Sequence, residues 1–175
     1  EEDASTKWLA LLQNANTKKQ KVDGVLTFIP QVHAMGLEDL QGMLNVVSFY
    51  WDMNDETRSW TKRFRERFKG EFPSEPQAGV YSAVTHYLKA IAAAGTDEAQ
   101  AVAREMRKLP VKDFMTNGAA VREDGQVARD MYLMQVKAPA ESKYPYDYYK
   151  LVRTIPGAQS FKPLSESECP LVKKQ

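Results

Sequence analysis

Residues 76–95, PQAGVYSAVTHYLKAIAAAG, constrain the fold more than any other stretch of the chain. Val80, Val84, Tyr87, Leu88 and Ile91 recur at intervals of three and four, which places them on one apolar stripe of a helix. Pro76 suits a helix start, where its missing N–H is not needed, and Gly95 can take the left-handed conformation that ends one. Ala90 and Ala92, Ala93 and Ala94 keep the last turns narrow, so another element can approach closely. A helix with such a stripe needs a second layer to cover it, and the remaining sequence reads as short strands and helices that could pack around it.

At 175 residues the chain is long enough for one substantial core or for parts of two smaller lobes. Its charge excludes several function classes. The formal net charge is +1, and the basic residues are dispersed among acids apart from Lys18-Lys19 and Lys173-Lys174, so nothing argues for nucleic acid or an anionic membrane. No run of 18 apolar residues is present to span a bilayer. The opening EEDASTKW is acidic and polar, unlike a secretory signal. The single cysteine, Cys169, cannot form an internal disulfide; it reads as a free, inert thiol, or its partner lies on sequence absent here.

Residues 6–16 read as a helix with Trp8, Leu11, Leu12 and Ala15 on one face. A polar loop leads into Gly24-Val25-Leu26-Thr27-Phe28-Ile29, a β-branched and aromatic run closed by Pro30 that predicts a buried strand. QVHAMGLEDLQG reads as a loop holding a short helical turn, and residues 43–50 as a second strand. Asp52-Met53-Asn54-Asp55 breaks that strand and offers caps to a helix carrying Trp60, Phe64 and Phe68 and ending near Gly70. Beyond the 76–95 helix, Thr96 caps a short helix whose buried side is Ala99, Val102, Met106 and Leu109. Asn117-Gly118 and Asp124-Gly125 are turn signals, and residues 128–136 and 148–155 read as strands, followed by an extended tail. The class is α/β. A chain that begins on a helix and then a buried strand enters its sheet midway, as part of something larger.

Catalytic groups are scarce. His86 lies beside the stripe of the long helix and reads as a structural or surface residue. His33 follows a strand, a usual place for ligand contacts in open α/β sheets. Neither histidine has a metal-ligand partner at useful spacing, one cysteine cannot complete a zinc site, and no nucleophile-elbow, phosphate-loop, dinucleotide or zinc-protease motif is present. Glu38-Asp39 and Asp52/Asp55 read as surface and capping carboxylates. What remains is aromatic density. Phe49, Tyr50 and Trp51 stand at a strand-to-loop junction, where they form either a plug under the next helix or the wall of a cleft for a small organic ligand. The tyrosine-rich KYPYDYYK, residues 143–150, reads as a packed strand edge ahead of a site.

Five stretches together carry a family resemblance: GVLTFIPQVHAMGLEDLQGM (24–43), SFYWDMNDETRSW (48–60), QAGVYSAVTHYLKAIAAAGT (77–96), REDGQVARDMYLMQVKAPAES (122–142) and ESECPLVKK (166–174). In this order they resemble the periplasmic substrate-binding proteins of ABC importers, in the branched-chain amino acid (Leu/Ile/Val-binding) family. FYWD-x-ND followed by QAGVYSAVTHYLKA looks like a proteobacterial branch in which some members are associated with aromatic acids. The resemblance implies the type I periplasmic binding protein fold: two lobes of mainly parallel sheets flanked by helices, with the ligand held between them and no cofactor. Nothing here corresponds to the first lobe's ligand-binding loop, so the expectation is that only the C-terminal half is present. Residues 1–47 would then end the second lobe, 48–110 return to the first, and 111–175 cross back as C-terminal strands and tail.

The same resemblance implies ligand contacts at Gln31, Val32 and His33, at Tyr50 and Trp51 near a crossover, and at Gln77, Ala78, Gly79 and Tyr81 at the start of the long helix, whose free N–H groups suit a carboxylate. A neutral Gln31 stands where an acid would suit an α-ammonium group, which favours an aromatic acid over a branched-chain amino acid. Implied partners are a small-molecule carboxylate, the permease in the inner membrane, and the missing N-terminal half or another copy of the chain; no nucleic acid is implied. The alternative keeps the fold but couples it to signalling as a ligand-sensing receptor domain, which neighbouring permease or kinase genes would discriminate. An enzyme would need a catalytic constellation that the sequence does not offer.

Overall fold

The computed structural model describes residues 23, 24 and 26–172, and the helix expected over 6–16 lies outside them. Chain order is β1 (Asp23–Gly24), α1 (Ile29–Met35), α2 (Leu37–Leu40), β2 (Leu44–Val47), α3 (Asp55–Arg67), α4 (Glu75–Ala94), α5 (Ala99–Lys108), β3 (Val111–Asp113), β4 (Thr116–Ala119), β5 (Met131–Val136), β6 (Tyr149–Ile155) and α6 (Gly157–Ser160). Among the described residues the strands form a four-stranded sheet in the order β1-β2-β5-β6 and a separate hairpin, β3-β4. β1 runs parallel to β2, while β2-β5 and β5-β6 are antiparallel.

Two apolar cores follow from this arrangement. The first joins α1, α2 and the sheet through Ile29, Val32, Leu40, Met43, Val47, Tyr50, Met134, Val136 and Tyr149. The second, among the helices and the hairpin turn, is Phe49, Trp60, Ala78 and Met115. Trp51 packs against both. The chain passes from one to the other as it leaves β2, because alternation sends Phe49 to one side and Tyr50 to the other.

Four differences from the sequence reading have physical causes. The run 24–29 is not one strand: among the described residues only Asp23–Gly24 pairs with β2 on this side, and the chain turns helical at Ile29. Pro30, which reads as a strand terminator, occupies the first turn of α1, where a missing N–H costs nothing. Gly36 at φ 86° then separates α1 from α2, so the expected loop is two short helices with Val32 and Leu40 in the core. In the β3-β4 hairpin the turn falls at Phe114 and Met115, and Asn117 and Gly118 lie within β4 beside a register shift at Val111/Lys112. Asp124-Gly125 does turn the chain, with Val121 bridging Val127.

The fourth difference concerns α4. Its bounds match the sequence, and Gly95 ends it in the left-handed conformation. Its face toward the protein, however, is Ala78, Ser82, His86 and Ala90. Ser82 Oγ donates to Asp113 Oδ2 (2.5 Å) and the His86 ring Nε2 lies 2.9 Å from the Met106 carbonyl. The apolar stripe points outward, with Val80 63% and Leu88 57% exposed. With Trp60, Phe64 and Phe68 of the α3 segment it lines an open apolar groove of about 690 Å³.

Candidate functional site

The crossover after β2 is where side chains from distant parts of the chain converge. Tyr50 is buried in the first core, and its hydroxyl donates to the Tyr146 carbonyl (2.7 Å) and accepts from Tyr148 N–H (3.1 Å). Burial pushes its phenol above the ordinary tyrosine range, against the opposing pull of the Tyr148 and Tyr149 backbone groups, so it stays neutral. Trp51 donates from its indole Nε1 to the same Tyr146 carbonyl (2.9 Å) and tilts against Phe72 at 4.7 Å between centroids. The Tyr146 ring stacks on Phe72 (4.2 Å, 23°) and on His33 (4.4 Å, 13°). His33 Nδ1 and the Tyr148 hydroxyl share a 2.5 Å hydrogen bond, and the Arg65 guanidinium lies 4.1 Å above the Phe72 ring. Burial raises the Tyr146 and Tyr148 phenols too.

Of the sequence-derived residues, His33, Tyr50 and Trp51 therefore meet around Tyr146. Gln31 is exposed and its Oε1 accepts from Phe28 N–H (3.2 Å), closing the first turn of α1. Val32 is fully buried in the first core. On α4, Gln77 Oε1 accepts from Ser74 N–H (2.8 Å) and Oγ (3.0 Å), Ala78 is fully buried in the second core, Gly79 faces open space, and Tyr81 meets Trp60 edge to face. A void of about 10 Å³, no larger than one water, is bounded by Phe28, Ile29, Tyr50, Trp51, Pro73 and Glu75; of the sequence-derived residues only Tyr50 and Trp51 reach it, and the α4 set lies apart from it.

Glu75, in the first turn of α4, is tied to the crossover: its Oε1 accepts from Ser48 N–H (2.7 Å) and Ser48 Oγ (2.6 Å). Arg129, just before β5, donates from Nη2 to the same hydroxyl oxygen (3.2 Å). Burial lowers the Arg129 pKa, opposed by Glu75 and Asp113. These groups fix the start of α4 against β2 and β5. Ser48 also lines a polar cavity of about 210 Å³ with Phe49, Asp113, Met115 and Tyr132.

Sequence reasoning passed over Tyr146, Phe72, Glu75 and Arg129. The tyrosine-rich stretch was the one signal that could have pointed to Tyr146, but its left-handed backbone, φ 64°, leaves no sequence mark in a residue that rarely adopts it. Among the described residues no group of three His, Cys, Asp or Glu side chains is placed to hold a metal ion, and no helix is long and apolar enough to cross a membrane.

The fold is α/β, with a sheet part and a helical part meeting at the crossover, and comparison with known proteins supplies the family. The model of the periplasmic binding protein family matches residues 2–143, and the chain belongs to that family. A crystal structure of a periplasmic binding protein from Burkholderia mallei is 41% identical, with a TM-score of 0.87 over 98% of this chain and 46% of that one. A branched-chain amino acid ABC transporter periplasmic ligand-binding protein from Burkholderia xenovorans is 38% identical, also at TM-score 0.87, over 94% and 45% of the two chains. The leucine-, isoleucine-, valine-, threonine- and alanine-binding protein of Brucella ovis, at 18% identity and TM-score 0.72, shares the fold. A search of the curated proteins finds no match. The family is one of periplasmic solute-binding proteins and not of enzymes, and the fold is the type I periplasmic binding protein fold. This chain spans just under half the length of these relatives.

Proposed function

We propose that the chain is the C-terminal half of the solute-binding component of an ABC importer, which captures a small carboxylate between two lobes and delivers it to an inner-membrane permease. In this reading residues 1–47 end the second lobe, 48–110 belong to the first, and 111–175 cross back. The observation that carries it, beside the family, is the gathering of Tyr50, Trp51 and His33 at the crossover between the two cores. The outward stripe of α4 supports a partner for this half: the remaining half of the fold, or another copy of the chain when it is alone.

The ligand is an aromatic acid ahead of a branched-chain amino acid. An aromatic ring on Trp51 would gain about 0.5–1.5 kcal/mol beyond its burial. An ammonium group would find Gln31 neutral and already bonded to its own helix turn, and a poorly paired polar group costs about 1–3 kcal/mol. Gln77 and Gly79 at the start of α4, with Tyr81 a turn along, would face the carboxylate, while Ala78, buried in the second core with its N–H donated to the Ser74 carbonyl, would hold that turn in place. The test pairs this chain with the first half of the fold and titrates it with 4-hydroxybenzoate and with leucine, following tryptophan fluorescence and melting temperature. Saturable binding of the aromatic acid is expected. Tight leucine binding with no response to any aromatic acid would overturn the ligand assignment.

A further inference from the structure

Resting on that reading, we propose that Tyr146 is the positioning residue of the ligand site: it holds three of the residues assigned to the ligand in one arrangement without itself being required to touch it. Its carbonyl oxygen accepts from both the Tyr50 hydroxyl (2.7 Å) and the Trp51 indole (2.9 Å). One carbonyl has two lone pairs, and each is taken by one of these two side chains, which fixes the polar tip of each in addition to its packing. Its ring meets the third residue, His33, by stacking at 4.4 Å and 13°. No other described residue contacts all three in these ways.

The backbone at Tyr146 indicates that this arrangement is imposed. A φ of 64° is rarely adopted by a bulky residue and persists only where the surroundings over-determine it. Those surroundings are identifiable. Phe72 and His33 clamp the ring between them. The next residue, Asp147, is buried, pairs with Lys137 and accepts from Lys143 N–H (3.0 Å). Tyr148 N–H in turn donates to Tyr50. The left-handed turn is what aims the Tyr146 carbonyl back at the crossover while its ring stays in the stack. Phe72 lies between α3 and α4, and His33 lies on α1, so the ring also joins the helical part to the sheet part.

The test uses variants that separate ring from carbonyl. Tyr146→Phe keeps both, and Tyr146→Gly keeps the carbonyl and tolerates the left-handed backbone but removes the ring. The sequence has only two histidines, so the His33 ring resonances in this chain are readily assigned, with buried His86 as the internal reference. Upfield ring-current displacement of the His33 protons is expected in the native chain and in Tyr146→Phe, and its marked reduction in Tyr146→Gly, where only the more distant Tyr148 ring (5.9 Å) remains stacked on His33, with the His86 signals unchanged. Should Tyr146→Gly fail to fold, Phe72→Leu, which removes the other side of the clamp, must then weaken the His33 displacement. An undisplaced His33 in the native chain, or a displacement that stays at its native size in these variants, would overturn the proposal. A second arm measures 4-hydroxybenzoate and leucine binding to the paired halves: about tenfold weaker binding in Tyr146→Gly, restored in Tyr146→Phe, supports the positioning role. Equal affinity in all variants overturns that role. If neither probe binds the native protein, the ligand reading fails, while the histidine signals still decide the arrangement around Tyr146.

Discussion

Replacing Val80, Val84 and Leu88 together by lysine separates what α4 contributes to its own fold from what it offers a partner. These side chains are 63%, 50% and 57% exposed, so folding of this half has removed only part of each from water. Fully burying a valine or leucine side chain is worth about 1.5–3 kcal/mol, so covering the remaining exposed half yields about 1 kcal/mol each. Three such residues contribute about 3 kcal/mol to association, roughly a hundredfold in dissociation constant. Their loss should cost the fold little, since exposed lysine is a good helix former. Sedimentation velocity across a concentration series, with thermal melting in parallel, is the assay. The native chain should self-associate when alone, and the triple variant should remain monomeric with a melting temperature within a few degrees of native. A native chain that stays monomeric at high concentration would refute the reasoning, as would a variant that unfolds, because the stripe would then belong to the half's own core.

Tyr149 carries a buried hydroxyl with no hydrogen-bond partner among the described residues, and burial pushes its phenol up to about 12 from the ordinary 10. A raised acid favours the folded state up to about pH 10 and loses that contribution as pH climbs to 12, so Tyr149 alone should remove about 2–3 kcal/mol over that window, in addition to what the other raised tyrosines remove. Tyr149→Phe should lose less over the same window and be as stable as the native chain or more so at pH 7, as chemical denaturation at several pH values would show. Gly157→Ala should lower the melting temperature, because its new methyl would sit 3.0 Å from the Arg129 backbone, whereas Gly79→Ala, in open space within a helix, should add about 0.5–1 kcal/mol. Asn54→Ala should cost about 0.5–2 kcal/mol in denaturant titration, because Asn54 Oδ1 accepts the Thr57 N–H (2.9 Å) that opens α3.

What could be read in advance depended on how local the determinant is. The extent of α4, the caps of α3, the two last strands and the Asp124-Gly125 turn rest on neighbours within a few residues, and periodicity or turn chemistry reports them. The inward face of α4 was not legible. Alanine, serine and histidine form that face because the β3-β4 hairpin and α5 come close, while the larger apolar residues face away. Periodicity locates a stripe without saying which layer covers it. Similarly, Pro30 could end a strand or begin a helix, and only the distance over which β1 finds a partner in β2 decides. At the site, the aromatic rings of the crossover stood out at once. Their common anchor did not, because it lies almost a hundred residues downstream of Tyr50 and works through a main-chain oxygen.

The division into two cores sets an order of events when the chain folds. The helical core draws on Phe49, Trp60, Ala78 and Met115, whereas the sheet core must bring Ile29 and Val32 to Met134 and Tyr149 across most of the sequence. Closing the longer loops costs more entropy before any contact compensates it. The helices and hairpin should therefore acquire protected amides first in pulse-labelled hydrogen exchange, with β2-β5 pairing following. Until then the central strand stands with open edges, and that interval is when the nascent chain is most exposed to aggregation.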